Sequence, residues 1–295
     1  MRVAPRAWLP FLQLARLDRP AGWQLLLAPC WWSSALASVS LHQALNVWHL
    51  ALFLGGAIAM RGAGSTFNDM ADRDLDAQVE RTRNRPLPSG RATLWQAAAL
   101  LTAQCVVGLL VLISFNRFAI ALGFASLLLV GIYPLMKRIT SWPQAVLGLA
   151  FGWGALMGWA AVYGSLAAPA LLLYACAIFW TIGYDTIYAM QDTRDDAIVG
   201  IGSTARLFGG QVQRGVAALY LVAVVAAALA LWTAQAGLLS WCGLVAFATH
   251  LGWQVAQVAG ASPAQALRLF RANSRAGFLL FGGIAADSLV TSLLP

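Results

Sequence analysis

Two short acidic runs stand out in a chain that otherwise avoids charge. The first reads Asn68-Asp69-Met70-Ala71-Asp72-Arg73-Asp74-Leu75-Asp76, and the second extends from Asp185 through Asp192 and Asp195 to Asp196. They hold eight of the eleven acidic residues of the chain. Asp69, Asp72 and Asp76 are spaced i, i+3, i+7, which places them on one face of a helix. Asn68 adds a neutral oxygen beside them. Asp185, Asp192 and Asp196 repeat the pattern at i, i+7, i+11, with Asp195 adjacent and Tyr188 on the same stripe. Like charges at such spacing repel. A hard divalent cation removes that repulsion, and Mg²⁺ commonly takes one or two carboxylates and completes its shell with waters and phosphate oxygens. The chemistry indicated is Mg²⁺ holding a diphosphate, with Asn68, Asp69, Asp72, Asp76, Asp192, Asp195 and Asp196 as candidate ligands. A solvated acidic loop balanced by Arg73, Arg81, Arg83 and Arg85 is the alternative for the first run. Helix capping is the alternative for Asp195 and Asp196, but it leaves Asp185, inside the apolar run Ile178 to Met190, unexplained.

Basic side chains complete the candidate site. Arg81, Arg83 and Arg85 lie downstream of the first run, and Lys137 and Arg138 close an apolar segment in Tyr133-Pro134-Leu135-Met136-Lys137-Arg138. Guanidinium and ammonium groups bind phosphate and would stabilise charge building on a departing diphosphate. Anchoring of helix ends is their alternative role. Arg61 differs, since it lies seven residues before Asn68 and so two turns deeper on the same helical face. A charge at that depth marks a site. It would meet the carboxylate of an organic substrate, or else pair with an aspartate. Arg16 and Asp18 form either a helix-entry pair or part of the rim.

These residues must be positioned by membrane helices. The 295 residues are 60% hydrophobic and 10% charged, with mean hydropathy +0.70, whereas a soluble domain carries about 25% charged residues. About twenty apolar residues cross a bilayer, and nine candidates follow: 21–39, 46–67, 94–114, 118–136, 143–163, 168–190, 214–234, 237–259 and 276–294. The reading is an all-α polytopic membrane protein, one domain over 1–295. With nine spans, the segments 1–20, 68–93, 137–142, 191–213 and 260–275 share one side. They hold nearly all the arginines and both acidic runs, while the opposite loops offer only Arg117. Basic loops stay inside, which predicts a cytoplasmic N-terminus and site in a bacterial cell inner membrane. The net charge of +8 then reflects topology and a bilayer partner, not nucleic acid. Cys30, Cys105, Cys176 and Cys242 are scattered through apolar segments and read as packing. Met1 to Pro20 lacks the continuous apolar core of a cleaved signal.

The pattern Asn68-Asp69-x-x-Asp72-x-x-x-Asp76 resembles the first signature of the UbiA-type intramembrane prenyltransferases, and Asp185 to Asp196 resembles their second aspartate-rich motif. Arg81 to Gly90, Tyr133 to Arg138 and Asp185-Thr186-x-Tyr188-Ala189-Met190-x-Asp192 resemble the 4-hydroxybenzoate polyprenyltransferase branch. The resemblance extends from Arg16-x-Asp18-x-Pro20-x-Gly22 to Phe270-x-x-Asn273-x-x-x-Gly277. It implies nine helices around a central cavity opening to the cytoplasmic side, with Mg²⁺ between the aspartate motifs and a polyprenyl diphosphate. The diphosphate leaves, and the ring carbon ortho to the phenol of 4-hydroxybenzoate attacks the allylic cation. Loss of a proton gives 3-polyprenyl-4-hydroxybenzoate, a ubiquinone precursor. By position, Asn68, Asp72, Asp76, Asp192 and Asp196 would handle metal and diphosphate, Lys137 and Arg138 would bind diphosphate, Arg61 would face the aromatic carboxylate, and Asp185 would lie close to the reacting centre. Another acceptor, such as a dihydroxynaphthoate or homogentisate, is the related alternative, and a cation-coupled transporter is the alternative of a different class. One position departs from the family pattern. Gly202 stands where many relatives have a lysine, and Arg206, one helical turn on, is the expected substitute.

Overall fold

The computed structural model describes residues 5–78, 80, 82–191 and 202–293, with side chains for all of these but residues 6, 130 and 132–139. The described residues form helices and no strands. In order these are α1 (Leu9–Leu14), α2 (Ala21–Ser40), α3 (Val47–Ala71), α4 (Arg73–Asp76), α5 (Leu94–Ile113), α6 (Arg117–Ile139), α7 (Pro143–Gly152), α8 (Gly154–Tyr163), α9 (Ala168–Ala189), α10 (Thr204–Phe208), α11 (Val212–Thr233), α12 (Leu238–Val258) and α13 (Pro263–Thr291).

Among the described residues six stretches are long and apolar enough to cross a membrane: Val47–Ala71, Leu94–Ile113, Pro143–Tyr163, Ala168–Ala189, Thr204–Thr233 and Leu238–Val258. The expected count of nine is not confirmed among the described residues. One boundary differs at α13. The segment 260–275 was expected as a connection, yet α13 begins at Pro263. Ser262 caps it, its hydroxyl accepting from Gln265 N at 3.3 Å, and Pro263 occupies the first turn, where its fixed φ suits a helix. The apolar remainder, Ala276 to Thr291, is shorter than the about 20 residues a bilayer demands.

The chain falls into two compact units, one of residues 1–27 and 51–115, the other of residues 28–50 and 116–295. In the first, α5 starts in a capping box: the Thr93 hydroxyl accepts from Gln96 N (3.2 Å) and the Gln96 carbonyl accepts from Thr93 N (2.9 Å). Leu14, Leu87, Ala92 and Ala97 form a small buried core with Met70 and Leu100 against it. Gln104 accepts from the Thr66 hydroxyl at 3.2 Å, so α3 and α5 share a buried polar link. Val106, Val107, Leu109, Leu110 and Ile113 of α5 remain exposed, the surface expected of a helix solvated by lipid.

In the second unit, α9 packs against α7, α11 and α13, and α12 packs against α11 and α13. Small residues permit these approaches, as in other membrane bundles. A Cβ on Gly243 would come 2.8 Å from the Gly283 backbone, so α12 and α13 touch main chain to main chain there. Trp32, Trp180 and Phe247 pack together with ring centroids 4.9 to 6.0 Å apart. A polar hub lies beside them. Asn273 Oδ1 accepts from Trp180 Nε1 (2.8 Å), Asn273 Nδ2 donates to Gln254 Oε1 (2.8 Å), and the Tyr220 hydroxyl lies 3.2 Å from both acceptors. Asp287 accepts from Gly237 N and Ser240 Oγ, both at 2.6 Å. It caps the N-terminus of α12 from α13, which explains a carboxylate buried at that position.

Candidate active site

The first acidic run ends α3 and forms α4. It is not one uniform face. Backbone bonds from Asp72 N to Asn68 O (2.9 Å) and from Asp76 N to Asp72 O (2.8 Å) carry the helical register across the break at Asp72. Asp69 and Asp76 turn inward and are buried. Asn68 and Asp72 turn outward and are exposed. The inner pair is neutralised by protein cations. Asp69 Oδ1 accepts from Arg16 Nη2 at 2.6 Å and from Arg85 Nη1 at 3.2 Å, and Arg85 Nη1 also donates to Asp76 Oδ2 at 2.6 Å. Burial lowers the Arg16 pKa from its ordinary value while Asp69 draws it back up; an arginine stays charged in either case. Asp69 Oδ2 is buried with no hydrogen-bond partner among the described residues.

Arg85, expected at the diphosphate, is thus engaged by two carboxylates. It closes the loop after α4, where the Thr82 hydroxyl donates to Asp76 O at 2.9 Å and Arg85 N donates to Thr82 O at 2.8 Å. Arg83 is exposed and, among the described residues, pairs with the exposed Glu80 at 3.6 Å, a surface pair of small energetic weight. The sequence reading missed Arg16 as the partner of Asp69. Its signal was present in Arg16-x-Asp18, an arginine at the entry to an apolar segment, but nothing local indicates which acid it meets.

The outer pair suits a metal. Among the described residues no three Asp, Glu, His or Cys side chains gather into a cage. Mg²⁺ does not require one, because one or two carboxylates and phosphate oxygens suffice. Asp72 offers a carboxylate without an ion pair or side-chain hydrogen bond among the described residues, and Asn68 places an amide oxygen one turn before it. These are hard oxygen donors, and they fit the ion.

Arg61 lies on α3 and is half-buried. Its Nη1 donates to Ser65 Oγ at 2.6 Å. Its guanidinium lies over Gly22, where a Cβ would come 2.7 Å from Nε. Glycine at position 22 makes the space in which this charge sits.

In the second unit, Asp185 is partly buried on α9. Asp192, Asp195 and Asp196 lie outside the described residues, as do the side chains of Lys137 and Arg138 near the end of α6. The stretch after the second motif is pinned to α9. Thr204 Oγ1 lies 2.6 Å from Thr186 Oγ1, next to Asp185 in sequence, and Thr204 N donates to Gln144 Oε1 at 3.1 Å. Gly202 has a physical reason. A Cβ there would come 2.8 Å from Thr140 O and 3.0 Å from Ser141 Cα, so a lysine would require the backbone to move. Arg206 is exposed on α10, whose start is capped by Ser203, and it borders a cavity of about 330 Å³ shared with Met190, Ala205, Gly209, Val212 and Ala261.

The sequence matches the UbiA prenyltransferase family over residues 26–281. The chain belongs to this family. It is 46% identical over 290 residues to the mitochondrial 4-hydroxybenzoate polyprenyltransferase of Rattus norvegicus, covering 97% of this chain and 76% of that protein. It is 44% identical over 286 residues to the protein of the same name from Drosophila pseudoobscura pseudoobscura, covering 95% and 71%. Among solved structures, an apo UbiA homolog from Aeropyrum pernix K1 shares the fold at a TM-score of 0.74 and 24% identity, covering 90% of this chain and 97% of that one. A UbiA homolog from Archaeoglobus fulgidus, bound to GPP and Mg²⁺, does so at 0.63 and 16%, covering 97% and 100%.

One expectation is corrected by these UbiA relatives. They are named as mitochondrial enzymes of animals, and one from Arabidopsis thaliana carries the same name. A bacterial cell inner membrane does not stand, and the cytoplasmic placing of the N-terminus and site falls with it. Charge bias orders loops across a membrane but holds no information about which membrane it is. What holds is that this UbiA family member is a membrane protein.

Proposed function

We propose that this chain is a Mg²⁺-dependent aromatic prenyltransferase, one integral-membrane domain over 1–295, that moves a polyprenyl group from polyprenyl diphosphate to 4-hydroxybenzoate on the route to ubiquinone. The observation that carries the reading is the division of the first motif: Asp69 and Asp76 are neutralised by arginines, while Asn68 and Asp72 stay open at the end of an apolar helix. The names of the curated relatives support the acceptor, and the Archaeoglobus fulgidus structure with GPP and Mg²⁺ supports the metal.

Asn68 and Asp72, with Asp192, Asp195 and Asp196, would hold the ion. When bound, Mg²⁺ would offset the negative charge of the diphosphate and ease its departure. Lys137, Arg138, Arg83 and Arg206 would take diphosphate oxygens, as charge-assisted donors do. Arg85 is assigned to holding the loop through Asp69 and Asp76. Arg61 would receive the carboxylate of the acceptor and so present the carbon ortho to its phenol. The allylic C–O bond breaks, the new C–C bond forms, and the ring loses a proton. Asp185, the one carboxylate within the apolar part of α9, would stand beside this centre.

The test is a panel of acceptors offered to membranes containing the chain, Mg²⁺ and a polyprenyl diphosphate. The expected product is 3-polyprenyl-4-hydroxybenzoate by mass and NMR. Prenylated dihydroxynaphthoate or homogentisate, with 4-hydroxybenzoate untouched, would overturn the acceptor while keeping the reaction class.

A further inference from the structure

The helical start of α13 turns three arginines into a stripe. Arg268, Arg271 and Arg275 are spaced i, i+3, i+7 and therefore share one helical face; all three are exposed. None forms an ion pair among the described residues. The reaction proposed above uses none of them.

A groove of about 220 Å³ opens beside the first of these arginines, lined by Trp253, Gln257, Gln265, Arg268 and Leu269. It sits at the tight turn joining α12 to α13, and its walls are fixed. Gln265 Nε2 donates to Gln257 O at 3.2 Å, tying the two helices together across the turn. Leu269 is buried beneath. The Trp253 ring stands edge-on to His250, centroids 5.2 Å apart. From the groove an exposed track runs down α12 through Trp253, Thr249, Val245, Cys242 and Leu238, each three or four residues from the next. The polar end thus offers a cation and two amides, and the other end offers an apolar stripe at bilayer depth.

We propose that the α12–α13 hairpin binds an anionic phospholipid, its phosphate at Arg268 and its acyl chain along the exposed track of α12. Charge and shape both favour this occupant. Arg268 presents a planar fork of donors suited to phosphate oxygens, and Gln257 and Gln265 add side chains able to bond the remaining oxygens or the glycerol. Arg271 and Arg275 add positive potential that a neutral headgroup would not exploit. Tryptophan is favoured at the level of lipid headgroups, where its ring is part buried and part wet. A soluble anion would use Arg268 but gain nothing from Trp253 or from the track.

The experiment uses the full chain in phosphatidylcholine nanodiscs containing a minor fraction of phosphatidylglycerol, with retained lipid read by native mass spectrometry. Phosphatidylglycerol is expected to be retained in preference to phosphatidylcholine. Arg268→Gln is expected to reduce that preference about fivefold, the weight of one basic side chain at an anionic surface, and Arg268→Lys to keep most of it. Trp253→Ala, which leaves the charge intact, is expected to lower retention of both lipids. Thermal unfolding of each variant reports whether it remains folded. If Arg268→Gln folds and retains phosphatidylglycerol as the parent does, the proposal fails. It fails equally if millimolar inorganic phosphate displaces the lipid, since the groove is then a site for the free anion, or if Trp253→Ala changes nothing.

Discussion

Arg16 Nη2 lies 2.6 Å from Asp69 Oδ1, joining residues 53 apart in sequence. Arg16 reaches this position from a left-handed backbone, φ 54°, a conformation that L side chains other than Asn and Asp seldom adopt. The ion pair and the loop around it hold that strain. The consequence is that Asp69 has its charge balanced from within the protein, while Asp72 keeps an exposed carboxylate.

Breaking the pair should cost stability more than chemistry. Arg16→Ala or Asp69→Asn removes one partner of a part-buried pair; because Arg85 still faces position 69, about 1–3 kcal/mol is expected. Arg16→Gly should be milder than Arg16→Ala by about 1 kcal/mol, because glycine accepts φ 54° without strain. Thermal unfolding in detergent measures both. Equal losses for the two substitutions at position 16 would show that the backbone strain is not stored there.

Gly22→Ala tests the seat of Arg61. The new Cβ would come 2.7 Å from Arg61 Nε, so the guanidinium must shift. The expected outcome is a higher KM for 4-hydroxybenzoate with the KM for the polyprenyl diphosphate unchanged. A parallel rise in both would place Arg61 at the diphosphate instead.

Gly202→Lys, which supplies the lysine that the family resemblance leads one to expect there, should not create a diphosphate contact. Its Cβ would meet the Thr140 carbonyl at 2.8 Å, and overpacking of this kind costs about 1–3 kcal/mol. Arg206→Ala should instead raise the KM for the polyprenyl diphosphate while unfolding stays put, since the side chain is exposed. Steady-state kinetics on the two variants separates them, and unchanged kinetics in Arg206→Ala removes the idea that it substitutes for the lysine.

Asn273→Ala should loosen the second unit. It strips the acceptor from Trp180 Nε1, while Gln254 Oε1 keeps the Tyr220 hydroxyl, and the one orphaned buried donor costs about 1–3 kcal/mol. The loss should appear as a lowered unfolding temperature. Similar unfolding temperatures for Asn273→Ala and the parent would remove the hub from the account.

The helices were largely legible because apolar runs of bilayer length have few other uses. The start of α13 was not, since Arg268, Arg271 and Arg275 read as a loop; yet Ser262, Pro263 and Gln265 spell a capped helix start, a local signal that composition outweighed. The acidic motif was legible as a motif and not as a division of labour. Spacing puts Asp69, Asp72 and Asp76 together, but which of them is neutralised depends on Arg16 and Arg85, brought in by tertiary structure. Gly202 read as a missing contact, and only the approach of the Thr140 backbone shows why a side chain is excluded there.

The most direct measurement is the partition of labelled 4-hydroxybenzoate into lipid in membranes supplied with Mg²⁺ and a polyprenyl diphosphate. Labelled lipid-soluble product should form with the parent chain, vanish with a chelator, and vanish in Asp72→Asn while that variant unfolds at the parent temperature. Label that stays aqueous with the parent chain, or product that survives both the chelator and Asp72→Asn, contradicts the account.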